Sequence, residues 1–300
     1  MKNLCVSTNV IAKICNVSQG TVDRALNNRP GIRASTKQRI LNVAKQYGYR
    51  EHIKADAGKA AGYIGIIVFN LNNEFFPELI TELEYAFRKE GFCAIVMMSH
   101  YNSSYEIECI RNLYNSGAEG IVLCSVNNGP EFENYLKLFD IPIVAVGNKI
   151  SGISYVGIDD FAAMREVTEN VIKRKPQNIV YFSPAVKYPN ATAQHLRYEG
   201  FLKAVGNSKY SVVTDIENIQ DLYDEETVII CSTDYYAVEV YRKNSNVKVV
   251  GFDNISILDK YNLPIDSVGY SVSEIAQGAL NIIKSKKSDI IEVDYFINER

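Results

Sequence analysis

Residues 9–49 read NVIAKICNVSQGTVDRALNNRPGIRASTKQRILNVAKQYGY, a stretch whose apolar residues recur at helical spacing. The start of this pattern predicts a short helix, and Asn16 then interrupts it with a residue type that tolerates a left-handed turn. Ser18 is a good N-cap for a second helix that extends to about Asn27. The loop at 28–31 contains Pro and Gly and ends that helix.

A third helix is predicted to begin at Ser35, which can form a capping box with Gln38, and to end at a Gly48 cap. Two helices joined by a tight turn, with a third behind them, make a helix-turn-helix unit. The apolar residues that we expect in its core are Ile11, Ala12, Cys15, Val22, Ala25, Leu26, Ile40, Leu41, Ala44 and Tyr47.

The charge of this unit indicates what it binds. Residues 1–50 contain nine Lys or Arg and a single acidic residue, Asp23, whereas the whole chain has a net charge of −3. A basic unit on an acidic chain predicts a head that binds a polyanion and a body that does not. The alternative is that these basic residues are only solvated surface, as on many small helical domains.

The stretch VSQGTVDRALN at 17–27, followed by RPGI and by the YGY after the third helix, resembles the DNA-binding head of the LacI/GalR family of transcription regulators. It departs from the family pattern at Val10, Asn16 and Asp23. The resemblance implies that the second helix reads bases, with Arg24 suited to guanine and Gln19 to adenine. The residues implied in contacts with bases or phosphates are Ser18, Gln19, Gly20, Thr21, Arg24, Asn27 and Arg29.

Residues 50–61 read as a linker, because they are rich in Ala, Gly and charge and show little apolar periodicity. In the resembled family this segment is a hinge that folds on DNA, and its leucine enters the minor groove. Gly58 stands here in place of that leucine. The sequence therefore leaves open whether the hinge folds.

From Gly62 onward, continuous Ile/Val runs of strand length alternate with helical segments, which predicts parallel sheets covered on both faces. Two such sets follow one another, so we expect an α/β body of two doubly wound lobes. The body resembles the type I periplasmic-binding-protein fold. That resemblance implies a first lobe of about 62–160 plus 270–287 and a second lobe of about 161–265 plus 288–300.

Ligands of open α/β sheets bind at the carboxyl ends of the strands, which predicts a site between the two lobes. The NLNNEFF segment at 70–76 follows the first strand and resembles the family's N-P-F-F, whose aromatic rings lie against a sugar. These rings could instead only fasten the next helix to the sheet. Arg197 resembles the Arg of R-x-x-G-F that donates to ligand oxygens. Asp253 resembles the acidic residue that accepts from sugar hydroxyls.

Other positions at strand ends are less defined. Asp159 and Asp160 resemble the family's V-D-N, and either could contact ligand or cap the following helix. Asn148, Thr233 and Tyr270 depart from the residue types usual in the family, so the pocket differs from common hexose sites. The residues expected to contact an effector, a carbohydrate or related polyol, are Asn70, Phe75, Phe76, Asn148, Asp159, Asp160, Arg197, Thr233, Asp253 and Tyr270.

Composition narrows the remaining function classes. The six Cys include no C-x-x-C pair and there are three His, which argues against a zinc site or a disulfide framework. No signal peptide or membrane-spanning run is visible, so we expect a cytoplasmic protein. No catalytic, nucleotide-binding or metal-binding motif stands out, so we expect no cofactor and no enzymatic activity.

The sequence thus predicts a homodimeric transcription regulator, a repressor, that binds double-stranded operator DNA and responds to a small molecule. The alternative is a cytoplasmic sugar-binding or sugar-modifying protein whose basic head is only a docking module. Salt separates the two hypotheses, because a DNA reader loses affinity steeply as salt rises and keeps its sequence preference.

Replacing Arg24 by Ala is expected to weaken operator binding by about 1–3 kcal/mol, because it removes a bidentate contact to a base. The measurement is fluorescence anisotropy on an operator selected from random duplexes, with a scrambled duplex of equal length as the control. An operator preference that survives the substitution would refute the base-reading role of Arg24.

Overall fold

The computed structural model describes residues 8–26, 29–46, 62–219 and 226–300. The chain divides into two compact units with the main boundary between Ala60 and Ala61. We call residues 8–46 the head and residues 62–300 the body. The predictions made for Asn27, Tyr47, Gly48 and the hinge segment 50–61 lie outside the described residues.

The head consists of three helices, α1 (Thr8–Ile14), α2 (Gln19–Leu26) and α3 (Ala34–Gln46). Asn16 ends the first helix with a φ of 47°, as a left-handed turn requires. Ser18 caps α2, because its Oγ accepts a hydrogen bond from the backbone N–H of Thr21 at 3.2 Å. The buried core comprises Ile11, Ala12, Cys15, Val22, Ala25, Ile40 and Ala44.

The predicted capping box of the third helix is wrong. Helix α3 begins at Ala34, so Ser35 lies inside its first turn rather than at the N-cap. The Gln38 amide donates to the Asn42 side chain at 3.1 Å instead of reaching back to the helix start. A shift of one residue in the start of the helix is enough to remove the reciprocal bonds.

The body contains two six-stranded sheets. The first half of the chain supplies β1 (Tyr63–Val68), α4 (Phe75–Lys89), β2 (Cys93–Met98), α5 (Ser103–Ser116), β3 (Gly120–Leu123), α6 (Pro130–Leu136), β4 (Ile143–Val146) and β5 (Ser154–Gly157). The second half supplies α7 (Asp160–Lys173), β6 (Asn178–Phe182), α8 (Thr192–Val205), β7 (Ser211–Val213), a 3₁₀ turn (Ile216–Ile219), β8 (Thr227–Cys231), α9 (Asp234–Lys243), β9 (Lys248–Phe252), α10 (Ile257–Lys260) and β10 (Ile265–Tyr270). Three elements complete the body, α11 (Val272–Ser285), β11 (Ile290–Glu292) and β12 (Tyr295–Asn298).

The first sheet has the order β11-β5-β4-β3-β1-β2 and the second β12-β10-β9-β8-β6-β7. Among the described strands, β10 and β12 pair antiparallel and the other pairs are parallel. Strand β1 shows why the sequence folds this way. Its Ile64 and Ile66 pack with α4 on one face, while Ile67 packs with α5 on the other. Apolar side chains are therefore needed at consecutive positions.

The chain end crosses between the lobes later than the sequence predicted. The family resemblance implies that residues 288–300 belong to the second lobe. In the structure, however, β11 pairs with β5 of the first sheet, and only β12 pairs with β10 of the second. The first lobe therefore includes β11, and the chain passes to the second lobe at residues 293–294.

Helices α7 and α8 approach closely at Gly200. A Cβ there would collide with the backbone carbonyl of Phe161 and lie 3.1 Å from the backbone nitrogen of Arg165. Backbone cannot yield as the tip of a side chain can, so Gly200→Ala is expected to lower the free energy of unfolding by about 1–3 kcal/mol. Urea unfolding measures this, with Lys203→Ala on the exposed side of α8 as the control. Equal stability of the two variants would contradict the close approach.

Candidate functional site

The exposed surface of α2 carries the residues that the sequence predicts for DNA contact. Ser18, Gln19, Gly20 and Arg24 are exposed, and Thr21 is half-buried. Within the described residues, the Arg24 side chain makes no hydrogen bond or ion pair, so its guanidinium is free to bind a base or a phosphate. The second helix thus presents one uncommitted cation.

The other predicted head residues take part in local hydrogen bonds. Gln19 Nε2 donates to Thr8 Oγ1 at 3.1 Å. The hydroxyls of Ser18 and Thr21 lie 2.9 Å apart. Arg29 Nη1 lies 3.3 Å from a carboxylate oxygen of Asp23, and both side chains are exposed. A phosphate would compete with Asp23 for Arg29, and an exposed ion pair of this kind is weak.

A cleft of about 480 Å³ lies in the body. Elements of both lobes line it, the first through segments that follow β1, β2 and β4, and the second through segments that follow β6, β8 and β9. Of the predicted effector residues, those that line the cleft are Asn70, Phe75, Phe76, Asn148, Arg197, Thr233, Asp253 and Tyr270. Asp159 and Asp160 do not line it.

Arg197 is buried on α8 and its guanidinium is held by three acceptors. Nε donates to Asp160 Oδ1 at 2.8 Å, Nη1 to the Ser232 carbonyl at 2.7 Å and Nη2 to Asp253 Oδ1 at 3.2 Å. The guanidinium carbon lies 3.6 Å from the ring centroid of Phe252, a cation–π contact. Burial favours the neutral form, but the charges of Asp253 and Asp160 outweigh it and raise the pKa of Arg197. The side chain is therefore a fixed cation.

Asp253 follows β9 and has one carboxylate oxygen available to the cleft. Oδ1 accepts from Arg197 and from the Tyr270 hydroxyl at 3.0 Å, whereas no described residue donates to Oδ2. Burial raises the pKa of Asp253 to about 6. Its φ of 106° is unusual for a residue other than glycine, and such strain concentrates at functional sites. An ionised carboxylate in this position accepts from hydroxyl or amine donors of a ligand.

Asp159 and Asp160, at the start of α7, have different structural roles. Asp159 caps the helix, because its Oδ1 accepts from the backbone N–H of Ala162 at 2.9 Å. Asp160 is buried and pairs with Arg197, so it orients that guanidinium from behind the cleft wall. Burial raises the pKa of Asp160, and the charge of Arg197 opposes that effect.

Asn148 joins the two lobes. Its Nδ2 donates to the carbonyls of Ser125 at 3.1 Å and Asn190 at 2.9 Å, and its Oδ1 accepts from the backbone N–H of Ala193 at 3.2 Å. Asn190 and Ala193 lie beside the start of α8 in the second lobe, whereas Asn148 and Ser125 follow strands of the first. The amide is thus largely committed to protein atoms. The sequence predicted an effector contact here and did not reveal this bridge.

Two further predicted residues are partly committed. Thr233 caps α9, since its Oγ1 accepts from the backbone N–H of Tyr236 at 3.5 Å. Asn70 Nδ2 donates to the Tyr101 hydroxyl at 2.7 Å, and its Oδ1 accepts from the backbone of Asn72. Thr233 and Asn70 therefore line the cleft and also hold neighbouring protein atoms in place through these hydrogen bonds.

Aromatic side chains form much of the cleft wall. Phe75 and Phe76 are joined edge to face, and Phe75 approaches Tyr270 in the same way. Sequence reasoning missed a second group, Phe69, Tyr101, Tyr188, Tyr235 and Tyr236. Most of this group follows the carboxyl ends of β1, β2, β6 and β8, so the strand-end rule that found the other residues would also have found it.

The described helices include none with the length and apolar character needed to cross a bilayer. The cysteines within the described ranges are unpaired, and these ranges contain no cluster of three potential metal ligands.

Comparison with known proteins gives matches along most of the chain. Residues 61–224 match the family described as periplasmic binding proteins and the sugar binding domain of the LacI family, and residues 10–51 match the bacterial regulatory proteins of the lacI family. Catabolite control protein A of Priestia megaterium is 24% identical over 91% of this chain and 90% of its own length. The sucrose operon repressor of Streptococcus mutans is 24% identical over 92% and 91%.

Solved structures give the same fold. The Cra transcriptional dual regulator from Pseudomonas putida, in complex with fructose 1-phosphate, superposes with a TM-score of 0.69 at 16% identity. The superposition covers 79% of this chain and 98% of that one.

Replacing Asp253 by Asn is expected to stabilise the body at neutral pH. Burial keeps the Asp253 pKa at about 6 in the folded state, above that of an unfolded chain, so folding favours the protonated form. The ionised group therefore lowers stability above about pH 6, and this loss is recovered as the pH falls to about 4. Asn keeps the shape without the charge and leaves Arg197 paired with Asp160, so the free energy of unfolding at pH 7.5 should rise by up to about 3 kcal/mol.

Urea unfolding between pH 4 and pH 7.5 measures this effect. The variant should show a flatter pH profile, although not a level one, because burial also raises the pKa of Asp234 to about 7. Asp159→Asn keeps a capping oxygen on α7 and serves as the control with near-unchanged stability. A less stable Asp253→Asn variant at pH 7.5 would contradict the cost assigned to the buried charge.

Proposed function

Since the chain belongs to the LacI family of bacterial regulatory proteins, which bind DNA and regulate transcription, we propose that it is a repressor controlled by a carbohydrate or polyol. The head binds an operator and the cleft of the body binds the effector. The observation that carries the effector class is the Asp253 carboxylate oxygen open to the cleft beside the fixed Arg197. Hydroxyl donors of a sugar satisfy that oxygen, and the aromatic walls suit the apolar C–H faces of a sugar ring.

The head supports operator binding through its charge and through α2. Arg24 and Gln19 lie on the exposed face of that helix, and Gly20 between them adds no side chain. One head offers few base contacts, so we propose a homodimer that places two heads on a pseudo-palindromic site. The first lobe offers a surface for this dimer, because its edge strand β2 exposes Ile95 and Val96 and the neighbouring α4 exposes Tyr85.

The arrangement of the cleft supports a switch. Arg197 and Asp253 belong to the second lobe, whereas Phe75 and Phe76 start α4 in the first. An effector that contacts both groups binds the closed arrangement more tightly than the open one, and it shifts the lobes toward closure by that difference. A difference of a few kcal/mol is enough to change operator occupancy. The proposed site of action is the cytoplasm, and the proposed role of the cleft is regulatory rather than catalytic, as in the regulators that the chain resembles.

A panel of sugars, polyols and sugar phosphates, tested by thermal shift on the full chain, is expected to contain compounds that raise the melting temperature. The same compounds should change affinity for an operator selected from random duplexes. Asp253→Asn should bind the effector roughly tenfold or more weakly, because it loses a hydrogen bond to a charged group.

Asp159→Asn, outside the cleft, is the matched control and should respond like the unaltered chain. An Asp253→Asn variant with an unchanged thermal shift would exclude Asp253 from the effector site. A full chain that preferred no duplex sequence, with or without these compounds, would contradict the regulatory function itself.

A further inference from the structure

Helix α2 carries an acidic residue in a part of the chain that is otherwise basic. Asp23 is the single Asp or Glu among residues 1–50, which contain nine Lys or Arg. DNA phosphates repel a carboxylate, so an acidic side chain on a helix that faces a duplex weakens binding to every sequence that offers it no hydrogen-bond donor. A repulsive group in such a position is a means of rejecting wrong sequences.

Helix geometry places Asp23 near the centre of the exposed face of α2. The buried side of this helix consists of Val22 and Ala25. Successive residues of an α-helix are about 100° apart, so Gly20 lies almost opposite that buried side, and Asp23 and Arg24 flank Gly20 within about 60° on either side. Gln19 lies farther round the helix than Asp23 does. Asp23 therefore has a more central position for contact with DNA than one of the predicted base-reading residues.

Gly20 leaves room beside the Asp23 carboxylate. A Cβ at Gly20 would meet Ser18 Oγ at 3.9 Å and would otherwise lie in open space. The Asp23 side chain is 49% exposed. A short side chain such as Asp reaches a base only if the helix backbone comes close to the base edges, and the missing side chain at Gly20 permits that approach.

The contact between Asp23 and Arg29 can be exchanged on binding. Arg29 Nη1 lies 3.3 Å from Asp23 Oδ2, and the Arg29 side chain is 60% exposed. Such an exposed ion pair is weak, so a DNA phosphate competes effectively for the guanidinium. Once Arg29 binds a phosphate, the Asp23 carboxylate needs another donor, and the base edges of the major groove can supply one.

The chemistry of a carboxylate selects among the four bases. An ionised carboxylate only accepts hydrogen bonds, and the major groove offers donors from the exocyclic amino groups of cytosine and adenine. Guanine and thymine present acceptors there and repel a carboxylate. Adenine presents its N7 acceptor beside the amino group, whereas cytosine presents the N4 amino group alone, so cytosine is the better partner.

We propose that Asp23 determines operator specificity by accepting a hydrogen bond from the N4 amino group of a cytosine in the major groove. The carboxylate makes the head reject the other bases at that position. This inference rests on operator binding through α2 and adds a third base-contacting residue to Gln19 and Arg24. It is independent of the effector that the body binds.

Selection of operators from random duplexes tests this inference with the full chain and two variants. The unaltered chain should select a C·G pair in each half-site whose replacement weakens binding roughly tenfold or more. Asp23→Asn should select adenine at the same position, because an amide pairs with adenine N6 and N7. Asp23→Ala should accept any base there and should bind random duplexes more tightly than the unaltered chain, because the repulsion is gone.

Two further variants separate base contact from a purely local role of the ion pair. Arg29→Gln removes the partner of Asp23 and a phosphate contact, so it should weaken binding to all duplexes alike and keep the cytosine preference. Glu84→Gln removes a carboxylate from another exposed ion pair, with Arg88 on α4 of the body, and should change neither affinity nor preference.

Asp23→Asn preserves the size of the side chain, so a new preference for adenine with retained affinity cannot arise from unfolding. The same base preference in Asp23→Asn and in the unaltered chain would overturn the inference. A cytosine preference lost equally in Arg29→Gln and Asp23→Ala would also overturn it, because Asp23 would then act through Arg29. An unaltered chain that selected no duplex would count against operator binding itself, which is a distinct result.

Discussion

The body depends on one buried cation. Arg197 comes from α8 and is held by the start of α7 through Asp160, the end of β8 through Ser232 and the end of β9 through Asp253. Leaving a buried charge without its partner is costly, typically several kcal/mol, so these three segments must keep their relative positions. The guanidinium thereby fixes the strand ends that form one wall of the cleft.

The same cation determines the chemistry of its neighbours. Two carboxylates face one guanidinium, so a negative charge remains that Arg197 does not neutralise. Burial raises the pKa of Asp253 to about 6 and that of Asp234 to about 7, and the Asp253 charge contributes to the second of these shifts. Asp234 accepts hydrogen bonds from Ser267 and from the backbone of Ile255 and does not line the cleft. Of Asp160, Asp234 and Asp253, it is Asp253 that lines the cleft. A ligand rich in hydroxyl donors relieves that charge better than an anion can.

Much of the fold could be predicted because both faces of each sheet are covered. Strands such as β1 need apolar side chains at consecutive positions, and this leaves a strong signal in the sequence. The strand-end rule likewise placed Asp253 and Phe75 at one cleft, whereas Arg197, in the middle of α8, was identified through the family resemblance. The start of α3 was missed because a capping pattern does not fix a helix start to one residue.

Other features depend on distant contacts. The IIEVDYFIN run at 290–298 reads as nearly continuous strand, and no residue in it marks the passage from the first sheet to the second. Asn148 bonds to Asn190 across 42 positions of sequence, and a pattern within a short window cannot reveal such a partner. The position of the Tyr101 ring follows from an unusual backbone conformation that its own residue type does not predict.

The hydrogen bonds of Asn148 affect how strongly the two lobes are held together when no effector is bound. These hydrogen bonds use protein atoms at both ends, and Ser125, one of the partners, is itself anchored through its hydroxyl to the buried Glu106. Part of the free energy that holds the lobes together is therefore independent of what the cleft contains. A regulator built this way keeps a basal preference for the lobe arrangement seen here, to which the Asn148 amide contributes together with the bonds from Asn190 and Thr192 to the Lys149 carbonyl.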